Sequence, residues 1–228
     1  MGRGKRTNGA RAAAIGAGRA GAAAGAANAV AAAPAPAVPV RPSPHAALPP
    51  AILALLRSAA LLPPPVRVGD APTRARFDPP TMGHAAFRPP HKPTGGLWTA
   101  PLDDPAESDG GVSTPWTRWA DLVGTRCWRL HPDPAARVAV IARREDLLAL
   151  LAHFPLAAGA YPFWAEVNYP ALAAAGVDAV HLTASGQAAC AFDPAASLYG
   201  WDVASTLWLR WIFVAPATDL GPAVSSGE

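Results

Sequence analysis

Between Val66 and Phe213 the apolar positions change period several times, and each change marks an element. Val66-Arg67-Val68 and Leu97-Trp98-Thr99 read as short strands, the second stopped by Pro101. Cys127–Leu130, Arg137–Ile141 and the alternating Val177–Leu182 extend the strand signal, and Thr206–Phe213 is its strongest stretch. Helical spacing interrupts this series. Ser113 or Thr114 can cap a helix with Pro115 at its first position, which sets Trp116, Trp119 and Leu122 or Val123 on one face. Leu147, Leu148, Leu150 and Leu151 predict a buried helix over Arg144–Phe154, halted before Pro155. Asn168 caps a further helix over Tyr169–Ala175, ended by Gly176. Ala184–Gln187 reads as a turn leading into a strand-like Ala188–Phe192. Strands, inserted helices and strands again predict an α+β fold with a mostly antiparallel, tryptophan-rich sheet and a few short helices.

Composition sets the limits of that domain. Of 228 residues, 1–65 are dominated by Ala, Gly, Pro and Arg and contain no Trp, Tyr, Phe or acidic residue. Such a segment buries too little apolar area to offset a backbone entropy of about 1–2 kcal/mol per residue. It is therefore expected to be a largely disordered basic tail, with one apolar helical segment over residues 51–62 ended by Pro63-Pro64-Pro65. The expected domain is 66–215, followed by a flexible C-terminus at 216–228. Arg74–Lys92 reads as a long loop and Pro101–Gly111 as an acidic, mobile one. All eight tryptophans lie between Trp98 and Trp211.

Charge divides the same way. Residues 1–69 hold eight Lys and Arg and no acidic residue, while residues 70–228 hold eleven basic and sixteen acidic ones. The basic balance belongs to the tail, so nucleic acid would be met only through Arg3, Lys5, Arg6, Arg11 and Arg19. No apolar run is long enough to span a membrane, and two distant cysteines, Cys127 and Cys190, suit a reducing cytoplasm as buried thiols.

Candidate chemistry is sparse. The histidines lack ligand spacing, so no metal site is expected. Asp178 and His181 are three apart on a strand and face opposite ways, which argues against a dyad. Glu166 is the one glutamate flanked by aromatics, in Tyr161-Pro162-Phe163-Trp164-Ala165-Glu166, where apolar surroundings would raise its pKa. Two stretches stand out: His91-Lys92-Pro93-Thr94-Gly95-Gly96-Leu97-Trp98-Thr99-Ala100-Pro101, and Gly200-Trp201-Asp202-Val203-Ala204-Ser205 leading into Thr206-Leu207-Trp208.

Both stretches resemble those of a group of actinobacterial and phage proteins in which the second motif more often reads Trp-Asp-x-Glu-Ser. Their order, with Arg67 on a preceding strand, is similar to that of the mono-ADP-ribosyltransferases. The resemblance implies an NAD-binding domain. Arg67 would contact a phosphate or ribose, Gly96 would admit the cofactor, and Trp98 would stack on or wall off the nicotinamide. Thr99 would hydrogen-bond beside it. The glutamate that promotes transfer is replaced by Ala204, so activity is expected to be weak or absent unless Asp202, two residues away and on the same face of an extended strand, substitutes. The transferred group would go to a macromolecular acceptor. The poverty of acid–base residues supports an alternative, a non-enzymatic interaction module that binds a protein partner through tryptophan-rich edges.

Overall fold

Leu56 ends one helix and begins a strand, and from there the chain builds a single eight-stranded sheet. In the computed structural model the described residues are 48–82, 93–104, 111–156, 166–191, 193, 198 and 200–224. The expected disorder of residues 1–47, the tips of the two long loops at 83–92 and 105–110, and the aromatic run before Glu166 lie outside them.

Pro50 opens helix α1 (Pro50–Leu55), where a missing N–H costs nothing, and the chain turns extended at Leu56. Strand β1 (Leu56–Ser58) follows at once and pairs with β5 (Arg137–Ile141), Leu56 opposite Ala139. The expected single helix over 51–62 is thus a helix to Leu55, a strand over Leu56–Ser58 and a 3-10 turn over Ala59–Leu61. The remaining strands are β2 (Pro65–Val68), β3 (Leu97–Pro101), β4 (Arg126–Arg129), β6 (Ala179–Leu182), β7 (Ser205–Trp208) and β8 (Thr218–Pro222). Their order is β1-β5-β6-β7-β3-β2-β4-β8, antiparallel throughout except for β5 beside β6. That parallel pair is joined by α3 (Arg144–His153) and α4 (Tyr169–Ala174), as parallel neighbours require a crossover. The sheet is wider than the expected 66–215, because β1 and β8 form its two edges from outside that span.

Alternation along the strands separates two cores. On one face Ala139, Ile141, Val180, Leu182 and Leu207 pack against Ile52 and Leu55 of α1, Leu147 and Leu150 of α3, and Leu172 of α4. Fully burying each such side chain contributes roughly 1.5–3 kcal/mol. On the other face Val138, Ala179 and Trp208 pack with Ala59, Ala136, Leu97 and Phe213. Several polar groups inside are paired. Asp178 accepts from the Arg137 backbone N–H at 2.7 Å and binds the Arg210 guanidinium. His181 Nδ1 lies 2.8 Å from Thr206 Oγ1.

Two elements depart from the pattern-based expectation. The turn at Ala184–Gln187 and strand at Ala188–Phe192 are one helix, α5 (Ala184–Cys190), capped by Thr183, whose Oγ1 accepts from Gly186 N–H at 3.0 Å. Cys190 therefore sits on a helix and not in a strand. The long strand expected over Thr206–Phe213 stops at Trp208, since Leu209 N–H turns to the Asp178 carbonyl at 2.8 Å and Arg210 reaches that residue's carboxylate. The helix α2 (Pro115–Trp119) keeps its Thr114 cap and Pro115 start but ends before Leu122.

Gly186 explains how α5 sits on the sheet. A Cβ there would lie 2.2 Å from the Ile141 carbonyl oxygen, a backbone atom that cannot step aside. Gly186→Ala is expected to cost about 1–3 kcal/mol by overpacking. Urea unfolding of the full chain checks this: an unchanged midpoint would mean that α5 does not rest on β5.

Candidate functional site

Strand β3 alternates, sending Leu97 to one core and Trp98 to the other, and the turn before it forms the lip of a cleft of about 410 Å³. Arg67 of β2, Gly96, Trp98 and Trp211 line it, together with Arg76 and Phe77 from the segment after β2. Three of the residues singled out from sequence thus come together: Arg67, Gly96 and Trp98.

The half-buried Arg67 guanidinium donates to the Trp98 carbonyl at 3.4 Å and makes no ion pair among the described residues. Burial pulls its pKa below the ordinary value, and Asp70 nearby opposes that. Asp70 and Arg76, also on the cleft wall, are 4.0 Å apart with side chains 94% and 72% exposed, a pair that solvent screens. Among the described residues the cleft therefore gathers two guanidiniums against one solvated carboxylate, although residues 70–228 are acidic as a whole. Its aromatic side is braced from behind. Trp98 meets Trp201 edge-on at 4.6 Å, and Trp201 stacks on Tyr169 at 6.3 Å. Trp211 meets Phe77 at 6.1 Å and Phe213 at 4.9 Å, both edge-on.

Gly96 lines the cleft for a packing reason. Its φ is +67°, and a Cβ would fall 2.5 Å from Leu207 Cδ1 and 3.0 Å from the Trp208 carbonyl. Its N–H donates to the Asp78 carbonyl at 2.7 Å, so it is not open to a ligand phosphate. Gly95, with φ +79°, is held by the same segment, where a Cβ would meet the Pro79 carbonyl at 2.6 Å.

The two residues expected to act chemically are elsewhere. Thr99 is 1% exposed; its Oγ1 accepts the Trp208 indole N–H at 2.9 Å and donates to the Thr206 carbonyl at 3.5 Å. Strand alternation turns it away from Trp98, so it is a core residue. Asp202 is exposed and its carbonyl accepts from Gln187 Nε2 at 3.3 Å, while Ala204 is buried. Neither lines the cleft. Their expected common face required an extended strand, and β7 begins only at Ser205.

Sequence reasoning passed over Arg76, Phe77 and Trp211. The available signal was Phe77, the first aromatic of the chain, beside an arginine in a stretch read as loop. Among the described residues no three His, Cys, Asp or Glu are grouped to hold a metal ion, and no helix is long and apolar enough to cross a membrane.

Off the cleft, burial shifts the half-buried Glu166 and the buried His181. Burial of Glu166 pushes its carboxyl up to about 7, and burial of His181 pushes its imidazole down to about 4. Burial likewise raises the Cys127 and Cys190 thiols, which leaves them protonated and unreactive. No family model matches the chain, and neither a curated protein nor a solved structure matches it.

The two shifts act on stability with opposite signs. The fold holds His181 neutral, so its contribution is complete above the ordinary value of 6.5 and is lost as pH falls toward about 4. Glu166 is held protonated, so its ionisation weakens the fold as pH rises from 4.5 through about 7. In Glu166→Gln, which removes the opposing group, stability should fall by about 3 kcal/mol between pH 7 and 4. Urea titrations at several pH values measure this; a flat profile would contradict a buried neutral imidazole.

Proposed function

We propose that the domain binds NAD in the Arg67 cleft and has lost the transferase chemistry that its sequence resembles. The observation that carries the reading is the half-buried Arg67 guanidinium, held by the Trp98 carbonyl in a cleft that Phe77 and Trp211 also line, and free of any carboxylate ion pair among the described residues. A guanidinium in low dielectric suits a diphosphate, and the paired Phe77 and Trp211 rings suit a base. A volume of about 410 Å³ falls within the range of about 300–1,000 Å³ typical of small-molecule sites.

Catalysis has less support. Stabilising the oxocarbenium-like charge at the breaking glycosidic bond requires an anion in the cleft, and a group of that kind typically contributes about 10²–10³ in rate. Asp202 does not line the cleft, Thr99 is committed to Trp208, Ala204 is buried, and Asp70, which does line it, is 94% exposed beside Arg76, where solvent screens its charge. The reading is therefore of a cytoplasmic NAD-binding module. A macromolecular acceptor remains part of it only if transfer occurs.

The alternative of a protein-interaction module draws on one observation: Trp119, 59% exposed, lies near Val123, 53% exposed, at the end of α2. A docking patch needs several hundred Å² of contiguous apolar surface.

Calorimetric titration of the full chain with NAD should show saturable binding with no nicotinamide release. Arg67→Gln should weaken it by about 10–100-fold, the worth of a hydrogen bond to a charged group. Ala204→Glu should not restore release, because its side chain would enter the core. No binding at millimolar NAD, or release by the wild type, would overturn the reading.

A further inference from the structure

Resting on that reading of the cleft, we infer that the site takes the adenosine-phosphate end of NAD and leaves the nicotinamide outside. The first ground is charge. The oxidised nicotinamide ring carries a fixed positive charge, whereas adenine is neutral. Arg67 and Arg76 both line the cleft, and Arg67 is half-buried, where like-charge repulsion is poorly screened. Among the described residues Asp70 is the carboxylate on the wall; it lies against Arg76, both are largely exposed and screened, and the half-buried Arg67 dominates the local charge. Cation–π attraction from Trp211 would favour a pyridinium ring, but repulsion from the two guanidiniums that line the same cleft opposes it.

The second ground is the backbone. A nicotinamide carboxamide needs a donor and an acceptor near the turn. The Gly96 N–H is spent on the Asp78 carbonyl at 2.7 Å, and the Trp98 carbonyl receives Arg67. An adenine ring needs no such pair to be held, because stacking on aromatic walls tolerates any base. The third ground is size: about 410 Å³ is near the lower end for a ligand site and fits one nucleotide half rather than a whole dinucleotide.

Placed this way, the diphosphate meets Arg67 and Arg76, and the glycosidic bond to nicotinamide projects away from the cleft. The absence of an anion at Ala204 then leaves ligand binding unaffected, and the site selects adenosine phosphates as a class.

The test is competitive calorimetry on the full chain with NAD and its two halves, AMP and nicotinamide mononucleotide, which carry one phosphate each. AMP should bind, and nicotinamide mononucleotide should bind at least about tenfold more weakly than AMP, the equivalent of one pKa unit of like-charge interaction. Arg76→Gln, an exposed change that leaves the core untouched, should narrow that difference. Binding of NAD with nicotinamide mononucleotide equal to or tighter than AMP would overturn the inference and leave the NAD reading standing. Absence of binding by all three would overturn both.

Discussion

Strand β3 divides its hydrogen bonds between two neighbours, and the site depends on that division. Leu97–Thr99 pair with Trp208–Thr206 of β7, and Ala100–Pro101 pair with Val66–Pro65 of β2. One strand thereby joins the helix-covered half of the sheet to the half ending in β8. The Trp208 indole locks the seam by donating to Thr99 Oγ1, a buried pair whose loss would leave both groups desolvated and unmatched. Upstream, Gly95 and Gly96 fold against the 78–79 carbonyls, which fixes where β3 starts.

The cleft follows from this seam. Pairing of β2 with β3 brings the Arg67 side chain to the Trp98 carbonyl, and the glycine turn brings residues 76–79 over the same opening. Each wall thus belongs to an element held for reasons of packing. A cleft built on such supports is preorganised, so a ligand that entered it would not spend interaction energy ordering it. The same packing removes Thr99 and Ala204 from chemistry, since both are consumed by the core.

Much of the fold was legible where local and tertiary preferences agree. Asn168 caps α4 through its Oδ1 on the Ala171 N–H at 3.0 Å, and the Leu147–Leu151 pattern marks α3. Legibility failed where pairing overrides pattern. Leu56-Arg57-Ser58 continues a leucine-rich run, and only β5 makes it a strand. Thr218-Asp219-Leu220-Gly221-Pro222 contains three residues that disfavour strands, yet β4 and the Arg126–Asp219 ion pair hold it as an edge. Ala184–Cys190 has no apolar period, and its glycine is there for contact with Ile141. At the site, Arg67 and Trp98 were legible from motif order, whereas Phe77 and Trp211 meet only through tertiary folding. Asp202 failed because its expected face assumed a strand that starts three residues later.

The central claim is that a ligand anion enters between the turn before β3 and the segment after β2. Amide hydrogen exchange of the full chain with and without saturating NAD addresses it segment by segment. Protection should rise in residues 66–77 and 93–98, with Trp116–Val123 unchanged. Protection confined to Trp116–Val123, or no change anywhere, would contradict the account.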